Sequence, residues 1–302
     1  MTTITSRLYR DEKDFQIIIN LLNEIRPAIW LKEFPTKIDI EENLALVETR
    51  ANTKLWFDGN QPIGWAYVDD SHNLHWELKR QYTDIVGGEI VTWGETCIRK
   101  ALGAEDTSTL DVNCREDNKE RLAFIEGYGF HRTNFVTIRM KRSLSEPIPS
   151  PELPDGFFIR SVIGLEEAGA IASTHRAAFG TEYMTTENRL ILMNTSEYDP
   201  SLDLVVVARD GTIAAYCTCS VNADSIGSTD PVATHPHFQL LGLAKAILLK
   251  GLQMLKDRGM KFARLSTSKD NIAMQKTAES VGFFLEHQVL WFEKEIKKQF
   301  NT

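Results

Sequence analysis

The chain has 302 residues, of which 42% are hydrophobic and 25% are charged, a composition typical of a globular protein with one or two domains. No apolar run approaches the length of a membrane span, and the first residues carry no signal-peptide or targeting pattern, so the cytoplasm is the expected compartment. The net charge of −8 argues against nucleic acid as a partner, and the four cysteines fit no zinc spacing.

The first half of the chain alternates short strands with amphipathic helices. Phe15, Ile18 and Leu22 recur at helical spacing and predict a first helix, capped by Asp11 or Asp14. The remaining elements are predicted as a strand over residues 4–8, a helix over 40–50, a hairpin turning at Asp58-Gly59, a strand over 74–78, a helix over 89–102, a strand over 109–113 and a helix over 118–126.

The second half repeats this order of elements. Asp58 corresponds to Asp210, Asn118 to Asn271 and Gly129 to Gly282, at nearly constant separations (210 − 58 = 152, 271 − 118 = 153, 282 − 129 = 153). Such regularity predicts a duplicated domain. A proline-rich segment without periodicity lies between the copies, so we predict an N-terminal domain over residues 1–142, a linker over 143–155 and a C-terminal domain over 156–302.

In the second copy, a strand that ends near Thr234 leads through a glycine-containing loop into an amphipathic helix that stops before Gly259. The first backbone N–H groups of such a helix have no intrahelical partner, and the positive end of the helix dipole points outward, an arrangement that binds pyrophosphate. Gly242 lets the backbone approach a ligand closely, and Ala244 keeps the first turn narrow. An ordinary strand–turn–helix is the alternative interpretation.

The pattern of this region resembles the GNAT acyltransferase superfamily. It consists of the strand, the loop Gln239-Leu-Leu-Gly242-Leu-Ala244, a helix, a strand and a helix led by Asn271 and followed by Gly282-Phe283. With the duplication, the layout resembles mycothiol-synthase-like two-domain GNAT proteins. The resemblance implies an α/β fold of two tandem GNAT-type domains, each a mostly antiparallel twisted sheet flanked by helices. In the first copy, residues 79–88 lack the loop pattern, so we expect only the second copy to bind a cofactor.

The resemblance further implies acetyl-CoA, or another acyl-CoA, in a gap between the strand ending near Thr234 and the strand over residues 262–267. Asn271 would contact the cofactor arm, although it equally fits a helix N-cap. Basic residues are common inside the family's loop, whereas this chain has two leucines there. The implied cofactor residues are Val232, Ala233 and Thr234 on the strand, and Gln239, Leu240, Leu241, Gly242, Leu243, Ala244 and Lys245 in the loop and first helical turn.

Catalytic residues are implied less directly. In several relatives a carboxylate on the strand before the loop acts as the base, and Asp230 is the candidate here. An unperturbed aspartate is a weak base, so this role requires desolvation, a neighbouring charge or a water relay. Alternatively, Asp230 simply precedes Pro231 in a turn or bulge. The family's usual tyrosine acid falls on Ala278, so either the thiolate leaves without a protein acid, the domain does no chemistry, or another residue substitutes: Tyr183, Tyr198, Tyr216 or Ser266.

These features together predict an acyl-CoA-dependent N-acyltransferase that acetylates a primary amine of a small molecule, with its active site in the C-terminal domain. The competing hypothesis is a non-catalytic protein that binds acyl-CoA or another ligand on a decayed GNAT scaffold. We predict no metal, because His235-Pro-His237 has no partner ligands at suitable spacing and is more typical of a turn.

Overall fold

The computed structural model describes residues 3–27, 30, 33–102, 107–222 and 225–298. By its contacts the chain divides into two units: unit 1 comprises residues 1–134 and 290–302, and unit 2 comprises residues 135–289. Both contain β-strands and α-helices, which confirms the predicted α/β class. Within the described ranges, no helix is both long and apolar enough to cross a membrane.

Unit 1 contains a four-stranded antiparallel sheet in the order β1-β2-β3-β4. Its helices and strands are β1 (Ile4–Leu8), α1 (Glu12–Ile25), α2 (Lys37–Ala45), α3 (Val47–Ala51), β2 (Thr53–Asp58), β3 (Gln61–Val68), β4 (Leu74–Leu78), α4 (Thr83–Ala101), β5 (Thr107–Arg115), α5 (Lys119–Gly127) and the start of β6 (His131–Ser143).

Local sequence explains several of these boundaries. The Asp11 side chain accepts a hydrogen bond from the Lys13 N–H and caps α1, as predicted. Gly59 has a φ of 58° at the β2–β3 turn, the left-handed conformation that a tight hairpin requires. The single helix predicted over residues 40–50 is wrong. The backbone of Leu46 is extended, which ends α2, and the chain then forms the short helix α3.

Unit 2 is built on strands in the order β6-β11-β10-β9-β8-β7, in which β10 and β11 are parallel and the other neighbours antiparallel. Its remaining elements are β7 (Phe157–Ser161), α6 (Ala168–Phe179), α7 (Thr186–Met193), β8 (Asp203–Ala208), β9 (Ile213–Ser220), β10 (Ile226–Thr234), α8 (Leu243–Asp257), β11 (Phe262–Ser268), α9 (Ile272–Ser280) and the start of β12 (Phe284–Lys297).

Two apolar cores cover the strands of unit 2. The larger core contains Leu248 of α8 and Ala278 of α9, together with Cys217 of β9. The smaller core contains Ile171 of α6, Met193 of α7 and strand residues that include Tyr216 of β9 and Ala233 of β10. Because successive strand residues point to opposite faces, α8 and α9 lie on one face and α6 and α7 on the other.

The last strand of each half of the sequence crosses between the units. β6 starts in unit 1, but from residue 135 it belongs to unit 2, where it pairs with β11 from Ser143↔Phe262 to Thr137↔Ser268. β12 starts in unit 2, but from residue 290 it belongs to unit 1. The division into residues 1–142, 143–155 and 156–302 stays a prediction. It rests on a repeat in the sequence, whereas the two units are groups of residues that contact one another, and the two need not share boundaries.

Candidate active site

The two parallel strands of unit 2 separate partway along their length. β10 and β11 pair from Ile226↔Phe262 to Ser228↔Arg264, the last pair between them, although β10 continues to Thr234 and β11 to Ser268. Beyond Ser228 a gap opens between the strands. Backbone groups on this side of β10 can therefore pair with a ligand instead of with β11.

Asp230 lies where the gap opens. The register between β10 and β9 shifts between Thr229 and Val232, so Asp230 and Pro231 form a bulge, as one of the two sequence interpretations predicts. An Asp230 carboxylate oxygen accepts a hydrogen bond from the Ser266 N–H at 3.1 Å. The side chain thus replaces a backbone partner for β11 and places a carboxylate beside the gap.

The predicted strand residues continue along β10 past the bulge. Val232, Ala233 and Thr234 pair with Cys217, Tyr216 and Ala215 of β9. The hydroxyl of Thr234 is buried and has no hydrogen-bond partner among the described residues. A buried polar atom without a partner is costly unless a ligand or water satisfies it, so this hydroxyl marks a position where a polar ligand fits.

The loop that follows ends at an open helix N-terminus. Leu240 and Gly242 have φ values of 63° and 78°, and Leu240 is fully exposed. α8 begins at Leu243 without a side-chain cap. None of the N–H groups of residues 240–245 donates a hydrogen bond to another residue that the structure describes. These N–H groups, with the exposed Lys245, present partial and full positive charge to an anion.

Asn271 caps α9, as predicted. Its side-chain oxygen accepts a hydrogen bond from the Met274 N–H at 3.1 Å. Further along the helix, Ala278 has no exposed surface and packs in the larger core of unit 2. The position where the family usually has tyrosine therefore faces the packed interior in this chain.

The four residues predicted as substitutes for that tyrosine have different surroundings. The Tyr198 hydroxyl donates to the Asp203 carboxylate at 2.6 Å, and Ser266 accepts a hydrogen bond from Arg139. Tyr216 is buried, whereas Tyr183 lies in the segment between α6 and α7 with 59% of its surface exposed. Of the three candidate tyrosines, Tyr183 is mostly exposed, Tyr198 is partly buried and Tyr216 is buried.

His175 connects two of these tyrosines. Its Nδ1 lies 2.5 Å from the Tyr216 hydroxyl, and its Nε2 lies 3.0 Å from the Tyr183 hydroxyl. Burial, with smaller contributions from the charges of Arg189 and Arg176, lowers the pKa of His175 to about 4. The sequence reasoning missed His175, although there was a signal: a polar residue on the apolar face of α6, four residues after Ile171.

The corresponding segment of unit 1 is arranged differently. After β4, a short 3₁₀ turn, Arg80–Tyr82, leads directly into α4. A Cβ at Gly87 would lie 2.5 Å from the ring of Phe124, and one at Gly88 would lie 3.2 Å from the Tyr128 hydroxyl. These two glycines therefore let Phe124 of α5 and Tyr128, which follows α5, pack closely against the first turns of α4.

The chain resembles known acetyltransferases in sequence. Residues 169–283 match the model of the acetyltransferase (GNAT) family. A mycothiol acetyltransferase of Nocardia farcinica is 30% identical over 205 residues, which cover 64% of this chain and 67% of that protein. One from Thermobispora bispora is 25% identical over 245 residues, which cover 76% of this chain and 79% of that protein.

Solved structures show the same fold. A GCN5-related N-acetyltransferase from Sphaerobacter thermophilus has a TM-score of 0.72 at 20% identity, covering 99% of this chain and 98% of that one. A tandem GNAT protein from the clavulanic acid biosynthesis pathway has a TM-score of 0.74 at 13% identity, covering 99% of this chain and 100% of that one.

The fold and the sequence define a tandem GNAT protein: the chain belongs to the acetyltransferase (GNAT) family. It is an N-acetyltransferase of the GNAT type, a family that generally uses acetyl-CoA. The predicted resemblance and tandem fold are confirmed. The individual cofactor and catalytic residues stay predictions.

Proposed function

We propose that this chain transfers an acetyl group from acetyl-CoA to a primary amine of a small molecule, and that the reaction takes place in unit 2. The observation that carries the proposal is the gap between β10 and β11, followed in the chain by the open N-terminus of α8. In unit 1 the helix α4 also begins without a side-chain cap, but there a 3₁₀ turn leads directly into the helix, and Phe124 and Tyr128 pack against its Gly87 and Gly88.

The residues present fit acetyl-CoA. An extended polar chain fits the strand edge at Val232, Ala233 and Thr234, where the Thr234 hydroxyl lacks a partner among the described residues. A pyrophosphate fits the loop and first helical turn. Backbone N–H groups from Leu240 to Lys245 would hold it, with the Gln239 side chain and the Lys245 ammonium beside them. The exposed Asn271 at the start of α9 would contact the same ligand.

Asp230 is our candidate for the residue that accepts a proton from the amine. When bound, acetyl-CoA supplies an acetyl thioester that is open to attack by a neutral amine. Asp230 holds a carboxylate beside the gap through its hydrogen bond to Ser266, and a water molecule between carboxylate and amine would pass the proton on. Positioning of the two reactants in one site supplies a large part of the rate enhancement.

The names of the curated relatives suggest where to look for the acceptor. Since they are called mycothiol acetyltransferases, amines related to mycothiol are the first acceptors to assay. The proposal includes the cytoplasm as compartment. Cys97, Cys114, Cys217 and Cys219 are all buried free thiols, which fits a reducing environment.

Calorimetry with CoA and a thiol-release assay with acetyl-CoA and a panel of amines test the proposal. We expect micromolar CoA binding and thiol release that depends on the amine. A chain that shows no binding and a melting temperature unmoved by CoA would overturn the proposal. Binding without thiol release for any acceptor would favour the alternative prediction, a protein that binds acyl-CoA without catalysis.

Substitutions at Asp230 test its role. Asp230→Asn keeps an oxygen for the Ser266 N–H but loses the charge, so we expect the melting temperature to be retained and kcat to fall by about a hundredfold or more. Asp230→Ala loses both the charge and the oxygen that accepts from the Ser266 N–H, so it should lower the melting temperature as well as kcat. Asp210→Asn, at the exposed β8–β9 turn, is the matched control. Unchanged turnover in Asp230→Asn would show that the carboxylate is only structural.

A further inference from the structure

Three side chains of unit 2 form a hydrogen-bonded series from the interior to the surface. Tyr216 of β9 is 1% exposed, His175 of α6 is 4% exposed and Tyr183, in the segment between α6 and α7, is 59% exposed. The two tyrosine hydroxyls lie 2.5 Å and 3.0 Å from the two ring nitrogens of His175. The proposed function assigns no role to His175 or Tyr216.

The burial of Tyr216 fixes the direction of this series. Among the described residues, the Tyr216 hydroxyl has one hydrogen-bond partner, His175 Nδ1. The Arg189 guanidinium, 5.6 Å from the Tyr216 ring, is a donor only and cannot accept from the hydroxyl. Leaving a buried O–H without an acceptor is costly, so the Tyr216 O–H donates to Nδ1.

The proton of the imidazole then lies on the other nitrogen. His175 is buried between Tyr216 and the ring of Tyr183, close to two arginines, and such surroundings keep the imidazole neutral. A neutral imidazole carries one N–H. Because Nδ1 accepts from Tyr216, Nε2 bears the hydrogen and donates it to the Tyr183 oxygen.

Tyr183 therefore accepts from His175, and its own O–H is directed to a group other than His175. Hydrogen bonds in series polarise one another, which makes the last hydroxyl a stronger donor. The segment is also fixed next to Tyr183, because Arg176 donates to the Met184 carbonyl at 2.6 Å. α6, which carries His175, packs against β9 and against β10, the strand that carries Asp230.

We propose that the Tyr183 hydroxyl donates a proton to the leaving sulfur in acetyl transfer, with His175 and Tyr216 as positioning residues that orient it. This inference rests on the proposed function. The amine nitrogen forms a bond to the acetyl carbon, the carbon–sulfur bond breaks and its electron pair goes to sulfur. The Tyr183 proton then goes to sulfur. The Tyr183 oxygen, still accepting from Nε2–H, regains a proton from solvent.

Kinetics of hydroxyl deletions test the catalytic part. We expect Tyr183→Phe to lower kcat about ten- to a hundredfold with CoA affinity unchanged, since one charge-assisted hydrogen bond is lost. Tyr216→Phe, which touches no ligand, should also lower kcat while KM changes little. Tyr128→Phe, the same change in unit 1, is the control and should turn over as the original chain does. A kcat in Tyr183→Phe equal to that of the control overturns the proposal.

The tautomer is tested without any catalysis. In the full chain with ¹⁵N-labelled histidine, long-range proton–nitrogen NMR spectra show which ring nitrogen carries the hydrogen. The variant His175→Gln lacks the His175 signal and so assigns it. If His175→Gln does not fold, Tyr183→Phe assigns the signal instead, because loss of the Tyr183 hydroxyl should shift it. We expect the hydrogen on Nε2. A hydrogen on Nδ1 overturns the proposed direction of the hydrogen bonds from Tyr216 through His175 to Tyr183. If the original chain transfers no acetyl group, the proposed function fails, but the spectrum still shows which nitrogen of His175 carries the hydrogen.

Discussion

At the scale of single residues, Asp230 and His175 show how one side chain takes its meaning from distant partners. Asp230 reads in the sequence as an aspartate before a proline. In the structure its carboxylate holds the N–H of Ser266 on the next strand. His175 reads as one residue of an amphipathic helix, yet it lies between two tyrosines that stand 8 and 41 positions further along the chain.

Neutral buried His175 predicts a dependence of stability on pH. Its pKa is about 4 in the folded protein, lowered chiefly by burial, against an ordinary value of 6.5. Between pH 4 and pH 6.5 the unfolded chain binds a proton at this histidine that the folded chain does not bind. The contribution of neutral His175 to the free energy of unfolding is therefore complete above pH 6.5 and is lost as the pH falls towards 4. We expect it to amount to roughly 1–3 kcal/mol after allowance for solvent screening.

Denaturant titrations from pH 7.5 to pH 4 measure this contribution as the difference between the original chain and His175→Gln. The difference in the free energy of unfolding should shrink as the pH falls, because glutamine does not titrate. His72→Gln, at a histidine of unit 1 that is only partly buried, serves as the control. A difference that stays constant over this range would contradict a neutral, buried His175.

At the scale of elements, both ends of α8 contain a glycine with positive φ, but the two glycines have different surroundings. Gly242, before the first turn, has a φ of 78°, and Gly259, after the last, has a φ of 80°. Gly259 belongs to a C-terminal cap in which the Met260 N–H reaches the Leu255 carbonyl. Gly242 lies among backbone N–H groups that donate no hydrogen bond to any described residue. The first end is therefore open to a ligand.

Alanine at these two glycines should separate stability from binding. A Cβ at either position meets no atom within 4 Å, so the cost in each case is the strain of positive φ, about 1–2 kcal/mol. We expect Gly242→Ala and Gly259→Ala to lower the free energy of unfolding by similar amounts. Calorimetry should show weaker CoA binding for Gly242→Ala only. Equal affinities in the two variants would argue against pyrophosphate at this loop.

At the scale of the whole molecule, the strands at the end of each half determine which residues fold together. β11 pairs with β6 along its full length, and β6 comes from the first half of the sequence. A chain cut at the predicted linker keeps β11 but loses this partner. The edge of β11 that faces β6 then becomes exposed, on the side of the strand away from the gap that we propose for acetyl-CoA, and unpaired edges of this kind promote aggregation.

Two fragments test this arrangement. Residues 135–289 contain all of unit 2, whereas residues 156–302 correspond to the C-terminal domain predicted from the sequence. We expect the first to bind CoA with an affinity close to that of the full chain, and the second to aggregate or bind at least tenfold more weakly. A fragment 156–302 that is monomeric and binds CoA normally would show that β6 is dispensable.

The sequence by itself determined the features that depend on neighbouring residues. The hairpin glycines, the helix caps at Asp11 and Asn271 and the loop before α8 each follow from interactions within a few positions, and the same patterns carry the family resemblance. The long-range pairings were decided only by the tertiary structure: β6 with β11, Asp230 with Ser266, and His175 with its two tyrosines. Periodicity specifies which face of a strand or helix is buried, but several partners present an equally apolar face or an equally suitable hydrogen-bonding group. Packing of the complete chain selects among them.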